Sequence, residues 1–76
     1  MKSIIIKLNM AEKVKDFVQK VAVYPCDMDL RSGRYVVDAK SILGIFSLDL
    51  SKPLVLEIYN DDCDDLINDL KEYIVQ

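Results

Sequence analysis

The sequence has 76 residues, of which 51% are hydrophobic, and it carries a formal net charge of −3 with no histidine. A chain of this length has a small core, so we expect a single domain over residues 1–76 with its functional site at the surface. The acidic balance argues against binding of nucleic-acid phosphates, and no apolar run approaches the length of a membrane span.

The start of the chain predicts a strand followed by a helix. Residues 3–8 are rich in β-branched side chains, as is typical of a strand, and Asn9 is a suitable N-cap. From Met10 onward the apolar residues recur every three or four positions, which indicates an amphipathic helix. Tyr24-Pro25 ends it, because a residue before proline avoids helical dihedral angles.

A hairpin and a short helix are predicted in the middle of the chain. Residues 27–30 alternate between polar and apolar, as in a half-buried strand, and residues 35–37 return after a turn at 32–33. Ser41 is an N-cap residue type, and the apolar residues 42–46 follow it as a helix of one or two turns.

The end of the chain predicts a fourth strand over residues 54–59 and a last helix. Residues 60–62 supply a capping residue and acidic side chains for the first turn, and the apolar stripe runs from Cys63 to Ile74. The order is therefore β-α-β-β-α-β-α. It predicts an α+β fold, an open-faced two-layer sandwich with a four-stranded antiparallel sheet and three helices on one face.

The cysteines, Cys26 and Cys63, are far apart and form no CxxC motif. Without histidine a zinc site would need both thiols and carboxylates, so we expect neither a metal nor a cofactor. No signal peptide is visible, which favours a cytoplasmic protein with reduced, mostly buried thiols. No catalytic constellation is apparent, which favours a protein that is bound by a partner over an enzyme.

The charges are unevenly distributed. Residues 1–26 hold five lysines against two acidic residues, and residues 57–76 hold seven acidic residues against one lysine. One interpretation is two solvated faces of opposite sign. The other is that the basic face meets an acidic protein partner.

Residues 40–48, Lys-Ser-Ile-Leu-Gly-Ile-Phe-Ser-Leu, resemble the Lys-Ser-Ile-x-Gly-x-x-Ser-Leu stretch of HPr, the phosphocarrier of the bacterial sugar phosphotransferase system. The predicted element order is also that of the HPr family. In its carriers a His-x-Arg-Pro sequence begins the first helix, and the histidine takes the phosphate near the helix N-terminus. The corresponding residues here are 9–13, with no histidine, and Glu12 opposes a phosphate there. The resemblance therefore implies an HPr-like protein that cannot carry histidine phosphate.

By the same resemblance, Ser41 matches the regulatory serine that HPr kinase/phosphorylase modifies in many Gram-positive bacteria. A phosphate adds a charge of about −1.5 to −2, which a helix N-terminus favours, and Lys40 is a local basic partner. The alternative is that Ser41 only caps the helix.

The short helix has more apolar residues than one sheet can bury. Ile45 and Leu48 can point to the core, and the outward residues form a patch that, by the resemblance, docks enzymes and regulators. The alternative is that all of them pack inward or against one another. The predicted partner-binding residues are Met10, Lys40, Ile42, Leu43 and Phe46.

Three functions remain open from the sequence. The first is a regulatory protein that binds a protein partner under control of Ser41 phosphorylation; the resemblance implies HPr kinase/phosphorylase or a transcriptional regulator. The second is a degenerate carrier that scaffolds an assembly without phosphorylation. The third is a phosphotransferase-system carrier that uses a carboxylate or thiol, such as Asp16 or Cys26. We expect no nucleic-acid or membrane partner.

Overall fold

The computed structural model describes residues 1–75, and Gln76 lies outside the described residues. The predicted β-α-β-β-α-β-α order is confirmed over this range. The elements are β1 (Lys2–Ile6), α1 (Ala11–Ala22), β2 (Met28–Ser32), β3 (Tyr35–Asp38), α2 (Ile42–Phe46), β4 (Leu54–Ile58), α3 (Asp64–Asp69) and a 3₁₀ turn (Lys71–Tyr73).

The strands form an antiparallel sheet in the order β1-β4-β2-β3. Leu56 at the middle of β4 lies opposite Ile4 of β1 on one side and Leu30 of β2 on the other. Along β4 the side chains alternate between buried and partly exposed, because successive residues of a strand point to opposite faces. The helices cover one face and leave the other open, as predicted.

The helix α1 buries one stripe against the covered face of the sheet. Val14, Phe17 and Val21 are fully buried, at the spacings of three and four residues that place side chains on one side of a helix. The ring of Phe17 meets the buried ring of Tyr73 edge to face, with centroids 5.8 Å apart. This contact joins α1 to the 3₁₀ turn at the end of the chain.

The segment after the 3₁₀ turn pairs with part of the outer edge of β1. The predicted last helix ends early, because α3 stops at Asp69 and the chain continues through the 3₁₀ turn. Ile74 then forms an antiparallel bridge to Ile6, and the Val75 N–H donates to the Ile5 carbonyl at 3.1 Å. The prediction that one apolar helix stripe continues to Ile74 was wrong beyond Asp69, because Ile74 pairs with β1.

The predicted N-cap of the first helix was wrong by one residue. Met10 is the N-cap, in extended conformation and without a capping bond from its side chain. The Val14 N–H donates to the Met10 carbonyl at 3.2 Å, so Asn9 lies outside the first turn. Apolar periodicity located the helix correctly, whereas the residue type of the cap did not mark its start.

The start of α3 also differs from the prediction. The Asn60 side chain accepts a hydrogen bond from the Asp62 N–H at 2.9 Å and forms a turn before the helix. Cys63 is the N-cap, and the Ile67 N–H donates to its carbonyl at 2.9 Å. Asparagine thus stabilises the approach to the helix and does not cap it.

The two ends of the chain partly neutralise each other. The N-terminal ammonium lies 2.6 Å from Asp61, and the Lys20 ammonium lies 2.9 Å from Glu72. The hydrogen bond from Lys20 lowers the pKa of the Glu72 carboxyl and raises the pKa of Lys20. Some charges of the basic N-terminal part therefore form ion pairs with the acidic C-terminal part of the same molecule.

Two leucines allow the contribution of burial to stability to be measured. Leu56 is fully buried, whereas Leu43 is 80% exposed. We expect Leu56→Ala to lower the free energy of unfolding by about 2–5 kcal/mol, because the change removes buried methyl groups and leaves a cavity. The matched Leu43→Ala change should stay within about 0.5 kcal/mol. Urea denaturation checks both, and equal losses would contradict the burial described here.

Candidate functional site

Ser41 begins α2 as its N-cap. Its backbone is extended, and its side-chain oxygen accepts a hydrogen bond from the Gly44 N–H at 3.2 Å. The Ile45 N–H donates to the Ser41 carbonyl at 3.0 Å, which closes the first turn. The capping role of Ser41, expected from the sequence, is thus present in the structure.

Gly44 lets α2 lie close to β3. A Cβ atom at position 44 would stand 3.2 Å from the Val37 Cβ and 3.2 Å from the Ser41 side-chain oxygen. Such contacts are tighter than side chains normally make, so a larger residue would push the helix away from the strand. The glycine that weakens the helix in isolation therefore permits its packing against the sheet.

The side chains of α2 divide into a buried and an exposed set. Ile45 is buried, as is Leu48 just beyond the helix, and Ile42 packs against the core while remaining partly exposed. Leu43 is 80% exposed and Phe46 is 42% exposed. We call Ile42, Leu43 and Phe46 the α2 patch. Apolar side chains exposed in this way are the kind of surface that partners bind.

Met10 is also exposed, at the start of the helix that packs against α2. It is 54% accessible to solvent, and α1 contacts α2 directly. Met10 therefore stands on an element that adjoins the α2 patch. Its flexible thioether side chain adapts readily to an apolar partner surface.

Lys40 has a structural contact that the sequence did not indicate. Its ammonium donates to the Tyr24 carbonyl at 2.6 Å, and its backbone N–H donates to the Asp38 carboxylate at 2.9 Å. The bond to Tyr24 joins the segment before α2 to the segment after α1, whereas the bond to Asp38 is local. Pairing of Lys40 with a phosphate on Ser41 would therefore compete with the bond to Tyr24.

The start of α1 carries no imidazole side chain. Met10 is followed by Ala11, Glu12 and Lys13, and Glu12 lies in the first turn. A carboxylate there occupies the positive end of the helix dipole, where an anionic ligand would otherwise bind. The sequence contains no histidine.

The other proposed nucleophiles lie elsewhere. Asp16 is exposed in the middle of α1, and Cys26 is partly buried in the loop after it. The helix has 12 residues, which corresponds to a length of about 18 Å between the start of α1 and the loop that carries Cys26. The structure therefore does not bring Cys26 to the helix start.

Sequence reasoning missed a polar contact between α1 and α3. The Tyr24 hydroxyl, just beyond the end of α1, donates a hydrogen bond to the Asp69 carboxylate at the end of α3. This bond to a negative acceptor raises the pKa of Tyr24 to about 12. Both partners were visible in the sequence, but no local pattern indicated that they would meet.

The family of the chain follows from its match to a family model. The model described as the PTS HPr component phosphorylation site matches residues 10–76. The chain belongs to the HPr family of the phosphotransferase system. It is therefore an HPr-like, phosphocarrier-like protein, of a kind that generally does not act as an enzyme and that interacts with other proteins of that system.

Two solved structures of HPr proteins agree with this assignment. The chain is similar to HPr-C-His from Thermoanaerobacter tengcongensis, with a TM-score of 0.79 and 28% identity over 95% of this chain and 89% of that chain. It shares its fold with the phosphocarrier protein HPr from Bacillus anthracis strain Ames, with a TM-score of 0.71 and 24% identity over 96% of this chain and 93% of that chain. A search among curated protein sequences found no match.

The HPr-like chain has no helix, among residues 1–75, that is long and apolar enough to cross a membrane. Its longest helix there is α1, with 12 residues.

The capping bond of Ser41 can be tested by two substitutions. We expect Ser41→Ala to lower the free energy of unfolding by about 0.5–2 kcal/mol, because the Gly44 N–H loses its acceptor. Ser41→Asp should lower it less, since aspartate keeps an oxygen that can cap. Urea denaturation of both variants gives the comparison, and equal losses would show that the side-chain oxygen contributes nothing as a cap.

The tyrosine–carboxylate contact predicts an observable titration. We expect Tyr24 to titrate near pH 12, above the ordinary tyrosine value of 10.0, and Asp69→Asn to return its pKa towards that value. Because the pKa is higher in the folded state, the contact stabilises the fold fully below the unfolded value and is lost as pH rises through about 12. Tyrosine ring NMR shifts measure this, and an unchanged titration in Asp69→Asn would argue against the bond.

Proposed function

We propose that this HPr-family chain is a non-catalytic regulatory protein, formed by one domain over residues 1–76, that acts by binding a protein partner. The observation that carries the proposal is the composition of the start of α1. Where the family's carriers have His-x-Arg-Pro, this chain begins its helix at Met10 and continues through Glu12 and Lys13. Its fold is nevertheless that of HPr.

The chemistry at the helix start supports loss of the carrier function. Phosphotransfer on histidine needs a ring nitrogen as nucleophile, and the thioether of Met10 offers no such group. A phosphate also needs positive charge, whereas Glu12 places a carboxylate in the first turn. Both changes work in the same direction, so replacing one residue alone would not restore the site.

The α2 patch supports the binding function. Leu43 and Phe46 are exposed on a helix that is held in place by the buried side chain of Ile45 and by close packing on β3. A rigid element that presents apolar side chains loses little entropy when a partner covers it. Proteins of this family interact with other proteins of the phosphotransferase system, so a protein partner suits this surface.

Ser41 supports control of that surface by phosphorylation. It directly precedes the α2 patch and is only partly buried. In the proposed reaction the Ser41 side-chain oxygen attacks the terminal phosphorus of ATP, ADP leaves, and the hydroxyl proton is released. The phosphate then places negative charge beside the α2 patch, which changes the partners that it favours.

The experiment for this proposal uses HPr kinase/phosphorylase with ATP and follows intact mass. We expect the wild type to gain one phosphate and Ser41→Ala to gain none. Leu43→Ala should be phosphorylated at least about tenfold more slowly, since covering a leucine side chain contributes about 1.5–3 kcal/mol to a complex and about 1.4 kcal/mol is a factor of ten. Val23→Ala, which changes a residue 78% exposed at the other end of α1, is the matched control and should react like wild type.

The outcomes separate the candidate functions. A histidine-bearing HPr serves as the positive control for the kinase in the same tube. If that control is modified and this chain is not, phosphorylation at Ser41 is wrong and the scaffold function replaces it. If Leu43→Ala reacts as fast as Val23→Ala, the α2 patch is not the kinase-docking surface.

Loss of the carrier function has its own measurement. We expect no acid-labile phosphate on this chain when the phosphoryl donors of the phosphotransferase system are supplied, because it has no histidine. Transfer to the histidine-bearing HPr confirms that the donors are active. Phosphate appearing on Asp16 or Cys26, located by peptide mapping, would instead favour a carrier that uses a carboxylate or a thiol.

A further inference from the structure

The fold brings together two cysteines that are distant in the sequence. Cys26, in the loop between α1 and β2, and Cys63, the N-cap of α3, both line a cleft of about 210 Å³. Both are free thiols. Tyr24 and Asp65 also line the cleft.

The sheet register explains why the two cysteines line the same cleft. The Tyr59 N–H donates to the Asp27 carbonyl at 3.0 Å, one residue beyond the paired ends of β2 and β4. Continuing this antiparallel register by one residue places Cys26 beside Asn60. The Asn60 side chain accepts a hydrogen bond from the Asp62 N–H, which forms a turn in the chain. Cys63 directly follows this turn.

The two thiols differ in accessibility. Cys63 is only 4% exposed and belongs to the core, whereas Cys26 is partly exposed and packs against that core. A reagent from solvent therefore reaches Cys26 first. Cys63 is buried on the same cleft, which places it where it can react with a modified Cys26 in a second step.

We propose that Cys26 and Cys63 are a redox modification site that forms an intramolecular disulfide. The oxidant is a low-molecular-weight disulfide such as glutathione disulfide. The Cys26 thiolate attacks one of its sulfurs and expels one glutathione thiolate, and the Cys63 thiolate then attacks the Cys26 sulfur and expels the second. The two thiol protons are taken up by the expelled glutathione thiolates, and the two electrons lost by the cysteines thus reduce glutathione disulfide to two glutathiones.

The disulfide encloses much of the fold. The closed loop runs from Cys26 to Cys63 and contains β2, β3, α2 and β4. Such a link restricts the unfolded chain, so the oxidised protein should be more stable than the reduced one. It also joins the loop after α1 to the start of α3, on which the acidic residues Asp64 and Asp65 lie.

The test incubates the reduced, folded full-length protein with glutathione disulfide and follows intact mass under non-reducing conditions. We expect the wild type to lose two hydrogen atoms and remain monomeric, with a Cys26–Cys63 peptide in the digest and a raised Tm. Cys63→Ser should stop at the mixed disulfide, which adds one glutathione, because no second thiol resolves it. Cys26→Ser should react much more slowly, because Cys63 is buried.

Several results would overturn the proposal. A disulfide-linked dimer, a wild type that keeps its glutathione, or equal glutathione addition to both single variants would each exclude an intramolecular pair with Cys26 attacking first. A disulfide that forms only in urea would show that the folded state does not bring the thiols together. Glutathione disulfide is preferred to peroxide because peroxide would also oxidise the exposed Met10.

Discussion

The alternation of side chains along β4 is the constraint on which the rest of the molecule depends. Leu54, Leu56 and Ile58 point to the same face, and β4 pairs with β1 on one side and β2 on the other. A shift of one residue in either pairing would turn these side chains to solvent. The covered face therefore has one arrangement in which α1 and the 3₁₀ turn can pack on it.

This constraint also governs the candidate site. β3 is paired to β2, and α2 lies against β3 through Gly44 and Val37. The orientation of α2 sends Ile45 inward and leaves Leu43 and Phe46 outward. The α2 patch, which we assign to partner binding, is thus a consequence of sheet register.

Much of the fold was predictable from the sequence because its signals are periodic. Apolar spacing located α1 and the first part of α3, although the predicted stripe ran beyond the end of α3 at Asp69. The residue types around Ser41 correctly predicted that Ser41 caps α2 and that Ile45 is buried. The caps of α1 and α3 were not predictable from residue type, because asparagine stabilises a turn as readily as a helix start. The bond from Lys40 to Tyr24 and the cleft shared by the two cysteines were not predictable, since they depend on how distant segments pack.

The C-terminal segment that pairs with β1 has a consequence for association between molecules. It occupies part of the outer edge of β1, through Ile74 and Val75, so that edge is less available to a strand from another chain. Within residues 1–75 the other sheet edge is β3, which has four residues, follows Arg34 and ends at the exposed Asp38. A short strand between charged residues is a poor template for strand addition, so both edges of this small open-faced sheet have features that oppose edge-to-edge aggregation.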